Sequence, residues 1–416
     1  MTSSFERSHE TASATVDDVA DVLLRFGVSM LRAGNSAART RQWMEVMARK
    51  LGFDAMAVGI TFDSIVVSAL SSGKWVTAMR EIGPSGVNAG RIGALERLAK
   101  AEAIHSPREL TVKLDEIESA APPYSRTQIV AAIALASGGF AFLNGGAAPE
   151  MIAAGIGGGI GHWLRSWLSR RSLNQYGVAA LSAIAASGAY VLSAMLAARF
   201  GVVFARYPIG FIASVLFLIP GVPLIAALFD LLQQQTVAAV SRFAYGAMLL
   251  LSVALGLSIV LALTGIDLSR PPPLELSYPL KLLLRSVASF VAACAFAMLF
   301  NASMRTVLAA GVLALVVNSL RLVLIDFDVM LAPAAFFSAL AIGVVALQAD
   351  QRFGVPRLAL MAAPIVIMIP GMYAFEMIVM FNRGQMLEAL QATAFCGFVI
   401  GGLAMGLAAA RLFSRD

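Results

Sequence analysis

Glu376 is a carboxylate inside an apolar run, six residues after Pro370-Gly371. Asp230 stands ten residues after a matching Pro220-Gly221, with Arg242 further on. The two strings, Phe217-Leu218-Ile219-Pro220-Gly221-Val222-Pro223 and Ile367-Met368-Ile369-Pro370-Gly371-Met372-Tyr373, each interrupt an otherwise apolar stretch. Proline removes an N–H and clashes with the preceding turn, so a helix breaks there. The segment that restarts presents unpaired N–H groups and a positive dipole end, a natural seat for a carboxylate. Glu376 lies ~9 Å along a helix from its break and stays within an apolar core. There it suits proton exchange or pairing with a substrate ammonium. Asp230, ~15 Å from its break, suits a gate or structural pair with Arg242. Asn144, Asn301 and Asn318 could bond a solute or only bridge helices. Arg285 and Arg321, near the ends of apolar runs, read as snorkelling side chains.

Other chemistry lacks its parts. Ser68, Ser71 and Ser72 have no neighbouring histidine, and His9, His105 and His162 form no cluster in the chain. Cys294 and Cys396 both sit in apolar runs, without metal-ligand spacing or a disulfide framework. No catalytic residue, metal site or cofactor is expected, and the chain does not read as an enzyme. Arg39 and Arg41 beside Asn35 and Ser36 read as a solvated helix face rather than a phosphate site. Gly155, Gly157, Gly158, Gly159 and Gly161 lack a nucleotide-loop register and read as GxxxG packing. Ser182, Ser187 and Ser193 fit the same small-residue packing or line a polar path.

These residues must be positioned by a chain that is 59% hydrophobic and 13% charged, with mean hydropathy +0.79. That composition belongs to a polytopic membrane protein. Residues 1–127 carry 15 basic and 15 acidic groups, so the net charge of +6 belongs to the apolar remainder. That favours positive loops at a bilayer, not nucleic acid. The first fifteen residues are polar, without a signal-peptide core.

Residues 1–127 read as a small α+β domain. Val19, Val22, Leu23, Phe26, Met30 and Leu31 have helical spacing that ends at Gly34. A second helix follows from Asn35 or Ser36 to Gly52. Residues 57–70 and 74–81 read as two strands around Ser71-Ser72-Gly73. Helices are expected over 88–103 and 112–119, and Pro122-Pro123 closes the domain.

Ten apolar runs follow, at 128–147, 149–164, 177–198, 208–232, 243–263, 280–300, 306–324, 330–347, 358–381 and 387–407. Most approach the ~20 residues that cross a bilayer. Arg270-Pro271-Pro272-Pro273, in a linker at 267–279, divides repeats at 128–266 and 280–416. Pro220 and Pro370 fall in the fourth run of each half, 150 residues apart. Phe140-Ala141 and Phe296-Ala297 close the first run of each, 156 apart. Five is odd, so the second repeat enters the membrane inverted, and a matched pair of broken spans points to a transporter's binding site. With residues 1–127 cytoplasmic, that side gathers more arginines, including Arg165, Arg170, Arg171, Arg242 and Arg415.

The chain resembles the bacterial threonine/serine exporter family, including its split relatives proposed to export succinate. The resemblance rests on Gly34-Asn35-Ser36 with Arg39, on Leu51-Gly52, on Pro123-Tyr124, and on residues 140–146. It continues through Pro220-Gly221-Val222-Pro223 with Asp230 and Arg242, residues 296–305, and Pro370-Gly371 with Tyr373. It implies a cytoplasmic N-terminal domain, ten spans in the inner membrane, a cytoplasmic C-terminus, and export driven by the membrane gradient. Threonine or serine is the expected substrate and the proton the expected coupling ion. A dicarboxylate exporter and a membrane-anchored sensor are the alternatives. The lipid bilayer is the expected partner, and the sequence is compatible with a homo-oligomer.

Overall fold

The structure, a computed structural model, describes residues 16–61, 63–71, 73–83, 86–101, 106–171, 173–265, 274–353, 355 and 357–413. The polar start of the chain, His9, Ser72, His105, the Arg270-Pro271-Pro272-Pro273 linker and Arg415 lie outside the described residues.

Local signals fix the first elements. Helix α1 (Val16–Arg32) ends where Gly34 takes φ +94°, and Asn35 N–H returns to Met30 O at 3.1 Å. Ser36 Oγ accepts from Arg39 N–H at 3.3 Å and starts α2 (Ala37–Lys50). Strands β1 (Ala55–Ile60), β2 (Ser64–Ser71) and β3 (Lys74–Glu81) form an antiparallel meander in the order β1-β2-β3. The run at 57–70 is therefore a hairpin, not one strand. Thr61 N–H bonds Ser64 O at 2.9 Å, and Thr61 Oγ1 bonds Asp63 Oδ1 at 2.7 Å, so side chains build a turn without a glycine. Ile65, Val67 and Ala69 alternate inward from β2, and pack in one cluster with Leu23, Phe26 and Met30 of α1. Helices α3 (Ala89–Lys100) and α4 (Pro107–Ser119) complete the unit. Ser106 caps α4 and Pro107 opens it, so α4 starts before the expected residue 112. Arg25 Nη2 pairs with Asp115 Oδ1 at 2.6 Å, tying α4 to α1.

A capping box opens the apolar part. Ser125 Oγ accepts from Gln128 N–H at 3.3 Å, and Gln128 Oε1 accepts from Ser125 N–H at 2.8 Å. Helices α5 (Arg126–Leu143), α6 (Ala148–Leu168), α7 (Gln175–Ala198), α8 (Tyr207–Ala213), α9 (Gly221–Leu232) and α10 (Thr236–Thr264) make the first half. Helices α11 (Tyr278–Leu299), α12 (Met304–Asp326), α13 (Leu331–Phe353), α14 (Arg357–Val366), α15 (Gly371–Asn382) and α16 (Met386–Ala410) make the second.

Among the described residues, seven helices are long and apolar enough to cross a membrane, or up to nine spans if each bent pair counts as one. The bent pairs are those at the Pro-Gly motifs, with angles of 64° between 207–218 and 221–232 and 47° between 357–366 and 371–381. Helix α6 is not among the seven, and it carries Glu150, His162 and Arg165. Its glycines let neighbours approach closely. Gly155 and Gly159 face Ala134 of α5, whereas Gly157 and Gly161 face Ala186 of α7.

The α+β unit contacts one end of this bundle. Ala89 N–H donates to Phe300 O at 2.7 Å, and Tyr124 OH donates to Ala302 O at 2.8 Å. Arg41 reaches Gln235 at 3.3 Å, and Lys100 pairs with Asp350 at 2.9 Å. The α9–α10 turn, the α11–α12 turn and the last turn of α13 therefore share that end.

One close helix contact recurs at matching positions of the two halves. A methyl on Gly256 of α10 would meet Ala180 O, Ala183 Cβ and Ile184 N of α7. One on Gly406 of α16 would meet Phe336 O, Ala339 Cβ and Leu340 N of α13. The glycines are 150 residues apart and their contacts 156, the offsets that also relate the two breaks and the ends of α5 and α11. Phe140 and Phe296 stack edge-on with centroids 5.7 Å apart.

Candidate functional site at the crossed helix breaks

The two Pro-Gly motifs touch. Gly221 has no Cβ, and the space is taken by Ile369 Cδ1; at Gly371 it is taken by Ile219 Cδ1. Each break thus seats the isoleucine of the other beside its own glycine. Their backbones match as well. Gly221 N–H bonds Ile219 O and Gly371 N–H bonds Ile369 O, both at 2.8 Å. Leu224 N–H bonds Pro220 O and Ala374 N–H bonds Pro370 O, both at 3.1 Å. Helices α9 and α15 restart at Gly221 and Gly371, so their N-terminal ends meet near one point.

Cavities lie on both sides of this contact. One of about 500 Å³ is lined by residues 217–223, His162, Arg165, Arg242, Tyr245 and Phe296, and by Leu31, Gly34 and Ile82 of the α+β unit. Another, of about 210 Å³, is lined by residues 366–373, Asn144, Asn318, Arg321, Ile325 and Leu331, toward the opposite end. Ile219 and Val366 line both, so the crossed breaks form the partition between them. A third cavity, about 280 Å³, lies among Asn35, Arg39, Glu96, Val222, Val366, Arg357 and Arg411.

Of the residues singled out in the sequence, Pro220, Gly221 and Pro223 line the 500 Å³ cavity, and Pro370, Gly371, Tyr373 and Asn144 the 210 Å³ one. Asn144 also caps α5, its Nδ2 donating to Phe140 O at 2.7 Å. Asp230 and Arg242 come together, Arg242 Nε lying 3.2 Å from Asp230 Oδ2. Asp230 is fully buried, with the Arg242 guanidinium and the backbone N–H of Ala37, at the start of α2, as its partners. These two contacts compensate its burial. Arg242 Nη2 also donates to Asn35 O at 3.1 Å, so this pair fastens the start of α2 to the bundle.

Two residues stand elsewhere. Asn301 takes φ +55° at the end of α11, and its carbonyl lies against Gly90 of α3, so it serves the docking of the α+β unit. Glu376 is half-buried on α15 and lines none of these three cavities. Conversely, Arg165, expected in a loop, Arg321, expected to snorkel, and His162, given no role by the sequence, all line the cavities. The signal was available: His162 and Arg165 lie 156 residues before Asn318 and Arg321.

Asp350 gathers charge at the docking surface. Lys100 lies at 2.9 Å, Arg357 at 3.0 Å and Arg39 at 3.8 Å, and Arg39 also meets Glu96 at 3.2 Å. Asp350→Asn should loosen the α+β unit by ~1–2 kcal/mol, a value held down by water at the half-exposed Lys100. Faster proteolytic cutting within residues 120–125 would register this, and unchanged cutting would show that the ion cluster does not hold the unit.

Comparison with known proteins places the chain in a family. The family model described as "Putative threonine/serine exporter" matches residues 21–264, and that described as "Threonine/Serine exporter, ThrE" matches residues 285–413. The chain is 22% identical over 251 residues to the "Probable succinate transporter subunit YjjP" of Klebsiella aerogenes, covering 60% of this chain and 95% of the relative. It is 23% identical over 251 residues, with the same coverage, to the protein of that name in Escherichia coli K12. No solved structure matches. Apolar helices broken at two matched points and family models along both halves lead to one assignment: the chain belongs to the threonine/serine exporter family of membrane transporters.

Proposed function

We propose that this protein exports threonine or serine across the bacterial inner membrane by alternating access, coupled to the proton gradient. The observation that carries this reading is the partition of crossed breaks between two cavities. A solute held there would meet the N-terminal, positive dipole ends of α9 and α15, which favour a carboxylate. Carbonyls freed at the ends of the preceding segments would accept from an ammonium. The reading takes ten spans as two inverted repeats, 128–266 and 280–416, with residues 1–127 and the C-terminus cytoplasmic. Rocking one repeat against the other would part the partition on alternate sides.

A dicarboxylate such as succinate is the second reading. It is favoured by cavity linings that hold Arg126, Arg165, Arg170 and Arg242 on one side and Arg321 on the other, with no acidic residue among the described residues of either lining. The relatives' printed name points the same way.

Counterflow in proteoliposomes with labelled threonine, serine and succinate tests both. Exchange of threonine or serine but not succinate is expected; the reverse pattern would establish the second reading, and no exchange of any would remove both. Glu376 is the proposed proton site because it is the carboxylate next beyond the second break. Glu376→Gln should keep counterflow and lose most gradient-driven export. Uphill transport at the normal rate and pH dependence would make Glu376 structural.

A further inference from the structure

Arg165 of α6 and Arg321 of α12 occupy corresponding points of the two halves. His162-Trp163-Leu164-Arg165 and Asn318-Ser319-Leu320-Arg321 are 156 residues apart, the offset that relates α7 to α13. Arg165 lines the cavity that reaches the first break, and Arg321 the cavity that reaches the second. Each follows a polar side chain by three residues, on the same helix face and in the same cavity. Asn318 Oδ1 accepts from Arg321 Nε at 2.9 Å, while Asn318 Nδ2 donates to Ser289 Oγ at 2.8 Å, so the guanidinium is held in place. On the other side His162 Nε2 lies 3.3 Å from Ser166 Oγ, and its buried Nδ1 has no partner. A tyrosine completes each lining, Tyr245 with Arg165 and Tyr373 with Arg321.

Neither guanidinium forms an ion pair among the described residues, and no carboxylate lines either cavity. Elsewhere Arg242, Arg285 and Arg357 each have an acidic partner. Snorkelling toward lipid headgroups does not describe side chains that line cavities beside the breaks. A half-buried guanidinium without a counter-ion is costly, and its planar fork matches a carboxylate in two parallel bonds.

We propose that Arg165 and Arg321 are two repeat-related carboxylate anchors, one on each side of the crossed breaks, which bind the carboxylate of the exported solute in turn. This rests on the export reading above, and identifies what recognises the solute on each side. The two anchors stand on opposite sides of one partition, so parting it toward either side leaves the solute beside one arginine.

The test uses the full chain, in detergent for binding and in proteoliposomes for counterflow, with threonine, serine, succinate and threoninamide as probes. The amide keeps the ammonium and side chain of threonine but lacks the carboxylate. Wild type is expected to be thermally stabilised by a carboxylate probe and not by the amide. Arg165→Gln and Arg321→Gln should each raise the half-saturating concentration about tenfold or more and erase that discrimination, while Arg→Lys at either site loses less. Melting of each variant without ligand separates lost binding from lost folding, and the lysine variants carry the test if a glutamine variant is unstable. If wild type exchanges threonine or serine, yet the variants keep their half-saturation within twofold, the anchors are overturned and the export reading stands. If only succinate binds, in an arginine-dependent way, the threonine/serine reading fails and the anchors stand. If no carboxylate stabilises wild type, the anchors are overturned.

Discussion

Asp230→Ala is expected to destabilise the folded protein by ~3–5 kcal/mol, because it leaves the guanidinium of Arg242 buried without its counter-ion. The Asp230 side chain is 0% exposed and that of Arg242 14%, so little water is available to replace the partner. Arg242→Ala should cost a similar amount by stranding the carboxylate. Replacing both, as Asp230→Leu with Arg242→Met, should recover most of the loss, since apolar side chains often substitute for a buried pair without penalty. The double variant should still release the start of α2, because the Arg242 bond to Asn35 O goes with the guanidinium. Thermal unfolding of the purified protein measures the first effect, and proteolysis within residues 120–125 the second. A single variant that melts with wild type would show that the pair bears no fold energy. The pair has no counterpart in the second half, where Met380 and Ala392 stand 150 residues on. That asymmetry fits a tie to the α+β unit better than a solute site.

The sequence disclosed spans and breaks because bilayer thickness dictates long apolar runs and Pro-Gly interrupts them in a fixed way. All ten runs contain helix, and the fourth and ninth are the two bent pairs. The α6 glycines were legible as packing for a similar reason, since a stripe of small residues has one common use between apolar helices. The hairpin within 57–70 was not legible. Its turn is built by Thr61 and Asp63 side chains, and β-branched residues continue on both sides. Asn301 looked like a solute ligand because an amide stood at a span end. Its left-handed backbone, which asparagine tolerates, explains it as a helix terminator. That Arg165 and Arg321 line cavities was not legible, because a run of apolar residues does not say how its helix is rotated. That rotation is set by contacts such as Gly161 against Ser182 and Ala186, which depend on which helices become neighbours. The 150- and 156-residue offsets were visible, but the seating of one break in the other was not.

That seating predicts a pattern of rescue. Gly221→Ala would press a methyl on Ile369 Cδ1, and Gly371→Ala would press one on Ile219 Cδ1. The obstructing atoms are far ends of side chains, Ile369 Cδ1 at Gly221 and Ile219 Cδ1 with Leu216 Cδ2 at Gly371, so the fold should survive at a cost of ~1–3 kcal/mol. Under the alternating access proposed above, the partition parts and re-forms in each cycle and a wedged isoleucine moves with it, so transport should suffer more. Counterflow is expected to slow about tenfold, as a barrier raised by ~1.4 kcal/mol would produce. Ile369→Val removes the Cδ1 that Gly221→Ala strikes, and should restore that variant while leaving Gly371→Ala impaired. Ile219→Val should relieve Gly371→Ala in larger part, Leu216 Cδ2 still standing close, and leave Gly221→Ala impaired. The matched pairs should therefore show coupling of ~1–2 kcal/mol in a double-mutant cycle, and the mismatched pairs close to none. Equal rescue by either valine, or by neither, would mean that the breaks do not meet as crossed partners. The partition between the two cavities would then have to be built from other residues.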